Sequence, residues 1–339
     1  MKRLPRNRIV VGDARDVLPT LPGESVDCVI TSPPYFRLRN YQDDRQIGLE
    51  SHVDDYAQEL LDVARSLKRV LKPTGSLWLN LGDSYSRSAT HGARDKSLVL
   101  APERAAQALT HDGWILRNKV VWAKTNPMPT SVPDRLSTTH EVVYFFVRER
   151  RYFFDLDAIR IPHTTTLGRP AKARSAWSVP PEWRGPSAGQ HTGLDRLKAA
   201  GLPGHPLGKN PGDVWSLSTA GYRGAHHAVF PEKLVERPIL ATCPERVCSR
   251  CGAPWMRQRV KMLGNLAVRG KLRAMCNCGG TTRRGVVLDP FMGSGTVAVA
   301  AQRLERDWLG IELNPQFAGL AEERLAQLDE HPTPRSAVA

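Results

Sequence analysis

The chain has 339 residues, of which 41% are hydrophobic and 24% are charged, a composition that excludes a wholly disordered protein. No apolar run approaches the roughly 18 residues of a membrane span, so we expect a soluble, cytoplasmic protein with no membrane partner. Lysine and arginine number 48 against 34 acidic residues, which gives a net charge of +14. This excess favours a polyanionic partner, because neutralising phosphates releases condensed counterions. A protein that is basic without such a partner is the alternative.

Strands and helices alternate through the first 160 residues. Short β-branched runs predict strands at Arg8–Val11 and Val26–Ile30, and helical spacing of apolar residues predicts a helix over 53–71 that ends before Pro73 and Gly75. The elements predicted next are a strand at Ser76–Leu79, a helix at Ala101–Leu109, and strands at Ile115–Trp122 and Val142–Val147. Strands separated by segments of helix length indicate an α/β fold with a doubly wound, mostly parallel sheet.

The periodicity fails from about residue 161 to 222, where proline, glycine, arginine and lysine are frequent. A flexible linker would have this composition, but a linker has little use for Trp177, Trp183 and Trp215. Basic segments that carry aromatic residues are typical of nucleic-acid contact. We therefore interpret this stretch as a nucleic-acid-binding insertion, with the linker as the alternative.

Regular structure returns after the insertion. The predicted elements are a helix at Pro231–Leu240, a strand at Gly285–Leu288, a helix at Val297–Leu304, a strand at Trp308–Ile311 and a helix at Pro315–Leu328. The tail, His331–Ala339, is predicted to be disordered.

A glycine turn, Gly293-Ser294-Gly295, lies between a predicted strand and a predicted helix. Glycines there let the backbone approach a ligand closely and expose amide groups at a helix start. Glu312 lies at the end of the next strand, 17 residues beyond Gly295, where an acid typically accepts hydrogen bonds from ribose hydroxyls. No Gly-Lys-Ser/Thr follows, so this is not a Walker loop. The pattern predicts a nucleoside-bearing ligand without a long phosphate chain.

The string Thr31-Ser32-Pro33-Pro34-Tyr35 follows a predicted strand. Two consecutive prolines fix the backbone and remove its donors, which leaves carbonyl groups facing whatever lies beyond the strand. The Ser32 hydroxyl and the carbonyl of Ser32 or Pro33 would then offer acceptors side by side. With the aromatic face of Tyr35, they would suit the exocyclic amine of a stacked planar base. A simple turn that ends the strand is the alternative.

Four of the six cysteines form two close pairs with 24 residues between them: Cys248, Cys251, Cys276 and Cys278. This spacing predicts a tetrahedral structural Zn²⁺ site in the manner of a zinc ribbon, with tight turns at Gly252 and Gly279. Four independent thiols are the alternative. We interpret Cys28 and Cys243 as packed core residues.

Ser-Pro-Pro-Tyr at 32–35, together with Asp-Pro-Phe-x-Gly-Ser-Gly-Thr at 289–296, resembles the amino-DNA methyltransferases, which use S-adenosylmethionine to methylate exocyclic amines. The catalytic motif precedes the cofactor motif, as in the circularly permuted β group of that family. The resemblance covers most of the chain apart from the basic insertion. It implies a circularly permuted, Rossmann-like, S-adenosylmethionine-dependent methyltransferase fold with a basic irregular insertion and a small zinc-ribbon-like insert.

The resemblance also assigns roles to individual residues. The implied catalytic residues are Ser32, Pro33, Pro34 and Tyr35. The implied cofactor-binding residues are Asp13 at the adenine amine, Glu312 at the ribose, Phe230 before the helix that closes over the cofactor, and Asp289, Phe291, Gly293, Gly295 and Thr296 around the methionine and adenosine parts. The first position of the catalytic motif is serine, which in this family is associated with methylation of cytosine N4. Many adenine-N6 enzymes have aspartate at this position.

The implied organisation has four parts. They are a catalytic half at 1–160, a target-recognition insertion at 161–225, a cofactor-binding half at 226–330 that contains the zinc-ribbon-like insert at 243–280, and a disordered tail at 331–339. Although Ile30 and Val286 are 256 residues apart, the strands that contain them must be parallel neighbours if both motifs face one crevice.

The expected activity is methylation of cytosine N4 at a specific site in double-stranded DNA. Adenine-N6 methylation by the same fold, a catalytically silent zinc-ribbon DNA-binding protein, and amine methylation in RNA or protein are the alternatives. A cognate restriction endonuclease and a homodimer are further partners that the resemblance leaves open.

Overall fold

The structure is a computed structural model that describes residues 3–41, 43–162, 205–220, 230–258, 261–263 and 266–330. The tail after 330 and two of the insertion's tryptophans, Trp177 and Trp183, lie outside these residues. The chain divides into two compact units. The first comprises Met1–Asp155, Gly212–Met256 and Ala274–Ser336, and the second comprises Leu156–Pro211, Arg257–Arg273 and Ala337–Ala339.

The described ranges contain fourteen strands and six α-helices. The strands are β1 (Arg8–Val11), β2 (Val26–Thr31), β3 (Leu71–Leu81), β4 (Ile115–Lys124), β5 (His140–Val147), β6 (Val214–Leu217), β7 (Val247–Cys248), β8 (Trp255–Arg257), β9 (Lys261–Leu263), β10 (Leu266–Val268), β11 (Leu272–Ala274), β12 (Thr282–Arg283), β13 (Val286–Asp289) and β14 (Asp307–Glu312). The helices are α1 (Ala14–Val17), α2 (Val53–Val70), α3 (Ala101–His111), α4 (Glu232–Thr242), α5 (Thr296–Arg303) and α6 (Pro315–Glu330).

Eight strands of the first unit form one sheet in the order β1-β14-β13-β2-β3-β5-β4-β6. All neighbouring pairs are parallel except the two that involve β5, which is antiparallel to both β3 and β4. The predicted α/β fold with a mostly parallel, doubly wound sheet is therefore confirmed. The last two of the described strands, β13 and β14, lie between β1 and β2, which is the arrangement that a permuted chain order requires.

The central pair of strands confirms the spatial prediction. β13 lies parallel to β2, with Val287 opposite Cys28 and Leu288 opposite Val29. The carboxyl ends of parallel neighbours point to the same edge of a sheet, which is where open α/β sheets bind ligands. The loops that begin at Ser32 and Pro290 consequently start side by side.

Both faces of the sheet are covered by helices, so its central strands are apolar on both sides. Apolar side chains of α2 and α3 pack on one face, in a cluster that includes Val29 and Leu288. Apolar side chains of α4, α5 and α6 pack on the other face, in a cluster that includes Cys28, Ile30 and Val287. Burial raises the pKa of the Cys28 thiol to about 12, and both Cys28 and Cys243 are fully buried, as expected of packed core residues.

The structure corrects two sequence predictions. β3 begins at Leu71, directly after α2, and not at Ser76 as predicted. The register of β3 against β2 shifts between Val26 and Cys28, and this irregularity accommodates Pro73 within the strand. Trp215, interpreted above as part of a nucleic-acid-binding stretch, lies on edge strand β6 and is buried with its ring centroid 6.2 Å from that of Trp78. The Trp215 indole therefore packs in the hydrophobic core.

In the second unit, β9 and β10 form an antiparallel pair, and Ile161 forms a β-bridge with Lys209. None of the helices within the described ranges combines the length and the apolarity that crossing a membrane would require.

Candidate active site

The loops that follow β1, β2, β13 and β14 surround a cavity of about 500 Å³ in the first unit. Ten of the twelve residues to which the resemblance gives catalytic or cofactor roles line it: Asp13, Ser32, Pro33, Pro34, Tyr35, Phe230, Phe291, Gly293, Thr296 and Glu312. The other two, Asp289 and Gly295, are not on its wall. The sheet therefore brings both motifs to one cavity, and the individual roles stay predictions.

The corner at the end of β2 is held by a dense set of hydrogen bonds. The Ser32 hydroxyl donates to the Tyr35 hydroxyl at 3.1 Å, and the Tyr35 hydroxyl donates to Glu141 Oε2 at 2.6 Å. The Pro34 carbonyl accepts from the Tyr56 hydroxyl at 2.9 Å. Tyr56 thus holds the backbone beside the predicted amine acceptors, which remain the Ser32 hydroxyl and the carbonyl of Ser32 or Pro33.

Three polar residues that received no site role from the sequence complete this corner. Asn80 Nδ2, which carries two hydrogens, lies within hydrogen-bonding distance of three acceptors: the Tyr35 hydroxyl at 2.8 Å, Glu141 Oε2 at 2.9 Å and the Ser32 hydroxyl at 3.3 Å. Lys124 Nζ lies 2.6 Å from Glu141 Oε1. All three line the cavity. The signal that could have identified them is their position, since each is a polar residue in or at the end of a strand that otherwise enters the core.

The Tyr35 side chain is fixed in place at its ring and at its hydroxyl. Burial and the negative charge of Glu141 raise the pKa of Tyr35 well above its usual value, so the hydroxyl remains a donor. A Cβ atom at Gly82 would lie 2.7 Å from Cε2 of the ring. Glycine at 82 is therefore needed for the ring to occupy this position.

The glycine turn after β13 is tied to the end of β14. The Gly293 amide donates to Glu312 Oε2 at 2.7 Å, and the Asn314 amide donates to Glu312 Oε1 at 2.9 Å. Burial raises the pKa of Glu312, while these amide hydrogen bonds lower it. Gly295, at φ +80°, precedes α5 in the left-handed conformation that favours glycine. Glu312 thus organises the turn and still lines the cavity.

Asp13 lies at the amino end of α1, where its side chain accepts from the Arg15 amide at 2.8 Å. The Arg15 guanidinium also contacts both carboxylate oxygens. Burial raises the pKa of Asp13, but the hydrogen bonds from Arg15 outweigh it and hold the pKa below its usual value. The cavity wall therefore carries an ionised carboxylate at this point.

Asp289 lies behind the cavity wall, where it joins the two central strands. Its Oδ1 accepts from the Thr31 hydroxyl at 2.7 Å and from the Phe291 amide at 3.1 Å. Burial raises the pKa of Asp289 from 3.8 to about 7. The side chain thus fixes the start of the loop that follows β13.

The raised pKa of Asp289 predicts a pH-dependent stability. Between the usual pKa of 3.8 and the raised pKa of about 7, the Asp289 carboxyl group keeps a proton in the folded protein that the unfolded chain has released. The free energy of unfolding therefore falls as pH rises from 3.8 to about 7. Asp289→Asn removes the contribution of this carboxyl group, and we expect the variant to lose less stability than the parent protein between about pH 4 and about pH 7 in urea unfolding. Asp16→Asn, at an exposed carboxylate, is the control and should leave the pH slope unchanged. Equal slopes for Asp289→Asn and the parent protein would contradict the assignment.

The four predicted zinc ligands lie together, with their sulfur atoms all within 4.8 Å of one another. The separations from Cys278 Sγ are 3.2 Å to Cys248, 3.4 Å to Cys276 and 3.6 Å to Cys251. Four thiolates about 2.3 Å from a tetrahedral Zn²⁺ are about 3.8 Å apart, so the cluster is compatible with this ion. The turns after Cys251 and Cys278 contain glycines in the left-handed conformation, Gly252 at φ +74° and Gly279 at φ +64°.

A buried ion pair connects this cluster to the central sheet. Lys72 Nζ lies 2.6 Å from Asp27 Oδ1 and donates to the Gly252 carbonyl at 3.3 Å. Asp27 Oδ2 accepts from the Val286 amide at 2.9 Å. The turn next to Cys251 is therefore fixed against β2, β3 and β13.

Fold and site together define an α/β protein in which both sequence motifs line one cavity, at the edge of a mostly parallel sheet where its central strands end. The family model described as DNA methylase, for the N6 and N4 amino-methyltransferases, matches residues 26–323. The chain belongs to this family, whose methyl donor is S-adenosylmethionine.

Individual relatives agree with this assignment. The chain is 32% identical to the Type II methyltransferase M.SmaI of Serratia marcescens, over 94% of this chain and 90% of the relative. It is 30% identical to the Type II methyltransferase M.SfiI of Streptomyces fimbriatus, over 92% and 89%.

Two solved structures share the fold. PvuII DNA methyltransferase (cytosine-N4-specific) has a TM-score of 0.58 at 18% identity and covers 95% of this chain and 87% of its own. A Thermus thermophilus protein in complex with S-adenosyl-L-methionine has a TM-score of 0.53 at 23% identity, with 94% and 93% coverage.

Proposed function

We propose that this protein transfers a methyl group from S-adenosylmethionine to the exocyclic N4 amine of a cytosine flipped out of double-stranded DNA. The observation that carries the proposal is the parallel pairing of β2 and β13, because it brings the Ser32–Tyr35 corner and the glycine turn to one cavity. An electrophile on one wall and an amine on the other can then come within reacting distance, about 3–3.5 Å.

The chemistry of the cavity wall fits the nucleoside part of the donor. Glu312 and Asp13 would accept hydrogen bonds from the ribose hydroxyls and the adenine amine, and Phe230 and Phe291 offer aromatic faces to the base. Asp289 would act from behind the wall by holding Phe291 in place. A structurally similar protein from Thermus thermophilus was solved with this cofactor, which supports the same ligand here.

S-adenosylmethionine supplies, when bound, a methyl group on a positively charged sulfur. The exocyclic amine is a poor nucleophile because its lone pair is delocalised into the ring of the base. Acceptors at the Ser32 hydroxyl and a Ser32 or Pro33 carbonyl would bind its protons and stabilise the positive charge that develops on nitrogen. A hydroxyl oxygen has two acceptor positions, and Asn80 uses one of them, which leaves Ser32 able to accept from the amine.

Tyr35 would stack on the extruded base. Its hydroxyl, held by Glu141 and Asn80, fixes the plane of the ring before a base arrives. Such preorganisation lowers the cost of ordering the site when the substrate binds. No covalent bond to the protein is needed, because the amine nitrogen attacks the methyl carbon directly while the bond between that carbon and sulfur breaks. The methylated amine then releases one proton to water.

The choice of cytosine over adenine rests on Ser32, the first residue of the catalytic motif. The PvuII enzyme, described as cytosine-N4-specific, shares the fold and is consistent with this choice. The experiment is digestion of DNA methylated by the purified protein to nucleosides, followed by mass spectrometry. Detection of N4-methylcytosine supports the proposal. Detection of N6-methyladenine would show that the substrate base is adenine. An unmodified digest, together with cofactor binding measured by calorimetry, would indicate a catalytically silent DNA-binding protein.

The relatives named Type II methyltransferases support a role beside a cognate restriction endonuclease. We also propose the division of the chain given above, with target recognition in the insertion from 161. The end of this insertion moves from residue 225 to before Val214, because Val214–Leu217 is an edge strand of the catalytic sheet.

We propose that the cysteine cluster holds one structural Zn²⁺, and its removal gives a testable result. The purified protein is expected to contain about one zinc per chain, and Cys251→Ser should lose it and lower the melting temperature on the order of 5 °C. The reason is that Lys72 joins the Cys251 turn to the sheet. Elemental analysis and thermal unfolding measure both effects.

The matched control for the metal site is Ser249→Ala, which lies in the same turn and removes a hydroxyl contact to Thr281. It should keep the zinc. Full zinc content in Cys251→Ser, or none in the parent protein after refolding with zinc, would refute the site.

A further inference from the structure

The cavity has a large apolar side chain on its rim that is exposed to solvent. Met128, in the loop between β4 and β5, lines the cavity and yet is 87% exposed. Leu38, in the loop that follows the catalytic corner, also lines the cavity and is 52% exposed. A substrate that enters the cavity must pass its rim, so these two side chains are placed to contact it.

The loop that carries Met128 is held at both ends. At its base, the Lys124 amide donates to the Thr139 carbonyl at 2.9 Å, and Asn126 Oδ1 accepts from the Thr219 amide at 2.7 Å. On its returning side, Asp134 pairs with Lys96 at 2.9 Å, and the Arg135 guanidinium lies 3.4 Å from the Tyr85 ring centroid. Met128 is therefore presented at the rim by an anchored loop.

Duplex DNA is the partner that fits this rim. A base that enters the cavity must leave the stack, and the duplex then contains a gap whose unstacking costs a few kcal/mol. An apolar side chain that fills the gap recovers part of this cost. Methionine is unbranched and flexible, and it adapts to irregular apolar spaces. The cavity rim also includes the exposed Arg39 and Arg45, whose charge is complementary to phosphates.

We propose that Met128 is a wedge that enters the duplex and occupies the space vacated by the target base. The proposal rests on the proposed function, since it requires an extruded base in the cavity. It assigns to the β4–β5 loop the task of holding the duplex open while the base is methylated.

The test compares Met128→Ala with Leu136→Ala on two duplexes. Leu136 is a matched control because it lies in the same loop and is 91% exposed but does not line the cavity. One duplex has the target base paired normally, at the site found by sequencing DNA that the parent protein has methylated. In the other the target lies opposite an abasic position, which removes most of the cost of extrusion. The measured quantity is the single-turnover rate of methyl transfer.

We expect Met128→Ala to be slower than the parent protein by about 10- to 100-fold on the paired duplex and within about 3-fold of it on the abasic duplex. Leu136→Ala should match the parent protein on both.

Three outcomes would overturn the wedge. They are a parent-like rate of Met128→Ala on paired DNA, an equal loss on both duplexes, and a change in oligomeric state on Met128→Ala, which would show that a second copy covers the rim. A parent protein that methylates no DNA, so that sequencing finds no target site, would instead refute the proposed function.

Discussion

Tyr35→Ala is expected to slow methyl transfer by about 100- to 1,000-fold while changing the dissociation constant of S-adenosylmethionine less than about 3-fold. The substitution removes the stacking face for the base and the hydroxyl between Ser32 and Glu141. It leaves the Glu312 contacts of the glycine turn in place. Single-turnover kinetics at saturating DNA and calorimetry of cofactor binding measure the two quantities separately.

Two further variants sharpen this prediction. Tyr35→Phe keeps the ring and loses its hydrogen bond to Glu141, so we expect a smaller loss of about 10-fold. Tyr152→Phe is the control, because the Tyr152 hydroxyl contacts Arg117 and the residue does not line the cavity. Comparable losses of turnover and cofactor affinity in Tyr35→Ala would count against the role given to this tyrosine.

Glu312→Ala should produce the opposite pattern, a fall of at least about 100-fold in affinity for S-adenosylmethionine measured without DNA. Each carboxylate oxygen holds a backbone amide, of Gly293 or of Asn314, so the substitution releases the glycine turn as well as the predicted ribose acceptor. Glu312→Gln keeps one carbonyl acceptor and should lose less.

The control for this effect is Glu323→Ala, at an exposed position on α6. It should bind the cofactor like the parent protein. Thermal unfolding of every variant distinguishes lost binding from lost folding. A folded Glu312→Ala protein with unchanged affinity would exclude Glu312 from the cofactor site.

The central fold was accessible from the sequence because its signals are local and strong. β-branched runs predicted β1 at its observed bounds and β2 to within one residue, and helical spacing predicted α2. The pairing of β2 with β13 was predictable for a different reason, since two motifs that serve one reaction must meet.

The parts that escaped prediction depend on tertiary packing. Glu141 and Lys124 meet because antiparallel β5 brings its start to the edge where β4 ends. Nothing in the local sequence fixes that pairing. β6 was missed because four residues within a region rich in proline and glycine carry little periodicity, and Trp215 is buried only once Trp78 is beside it. Pro73 and Gly75 were predicted to separate α2 from β3, but both residues lie within β3, because the register of β3 against β2 shifts and accommodates them.

The strand order also governs when the protein can become active during its synthesis. Among the described strands, β1 is synthesised first and β14 last, and β1 pairs only with β14. β1 therefore has no strand to pair with until β14 has been synthesised. The glycine turn is made shortly before β14, and Glu312 is the last residue of that strand. Pairing between strands so far apart in sequence is slow. A nascent or prematurely terminated chain therefore lacks the side of the cavity that Gly293 and Glu312 line, and methylation begins only with molecules whose translation has passed Glu312.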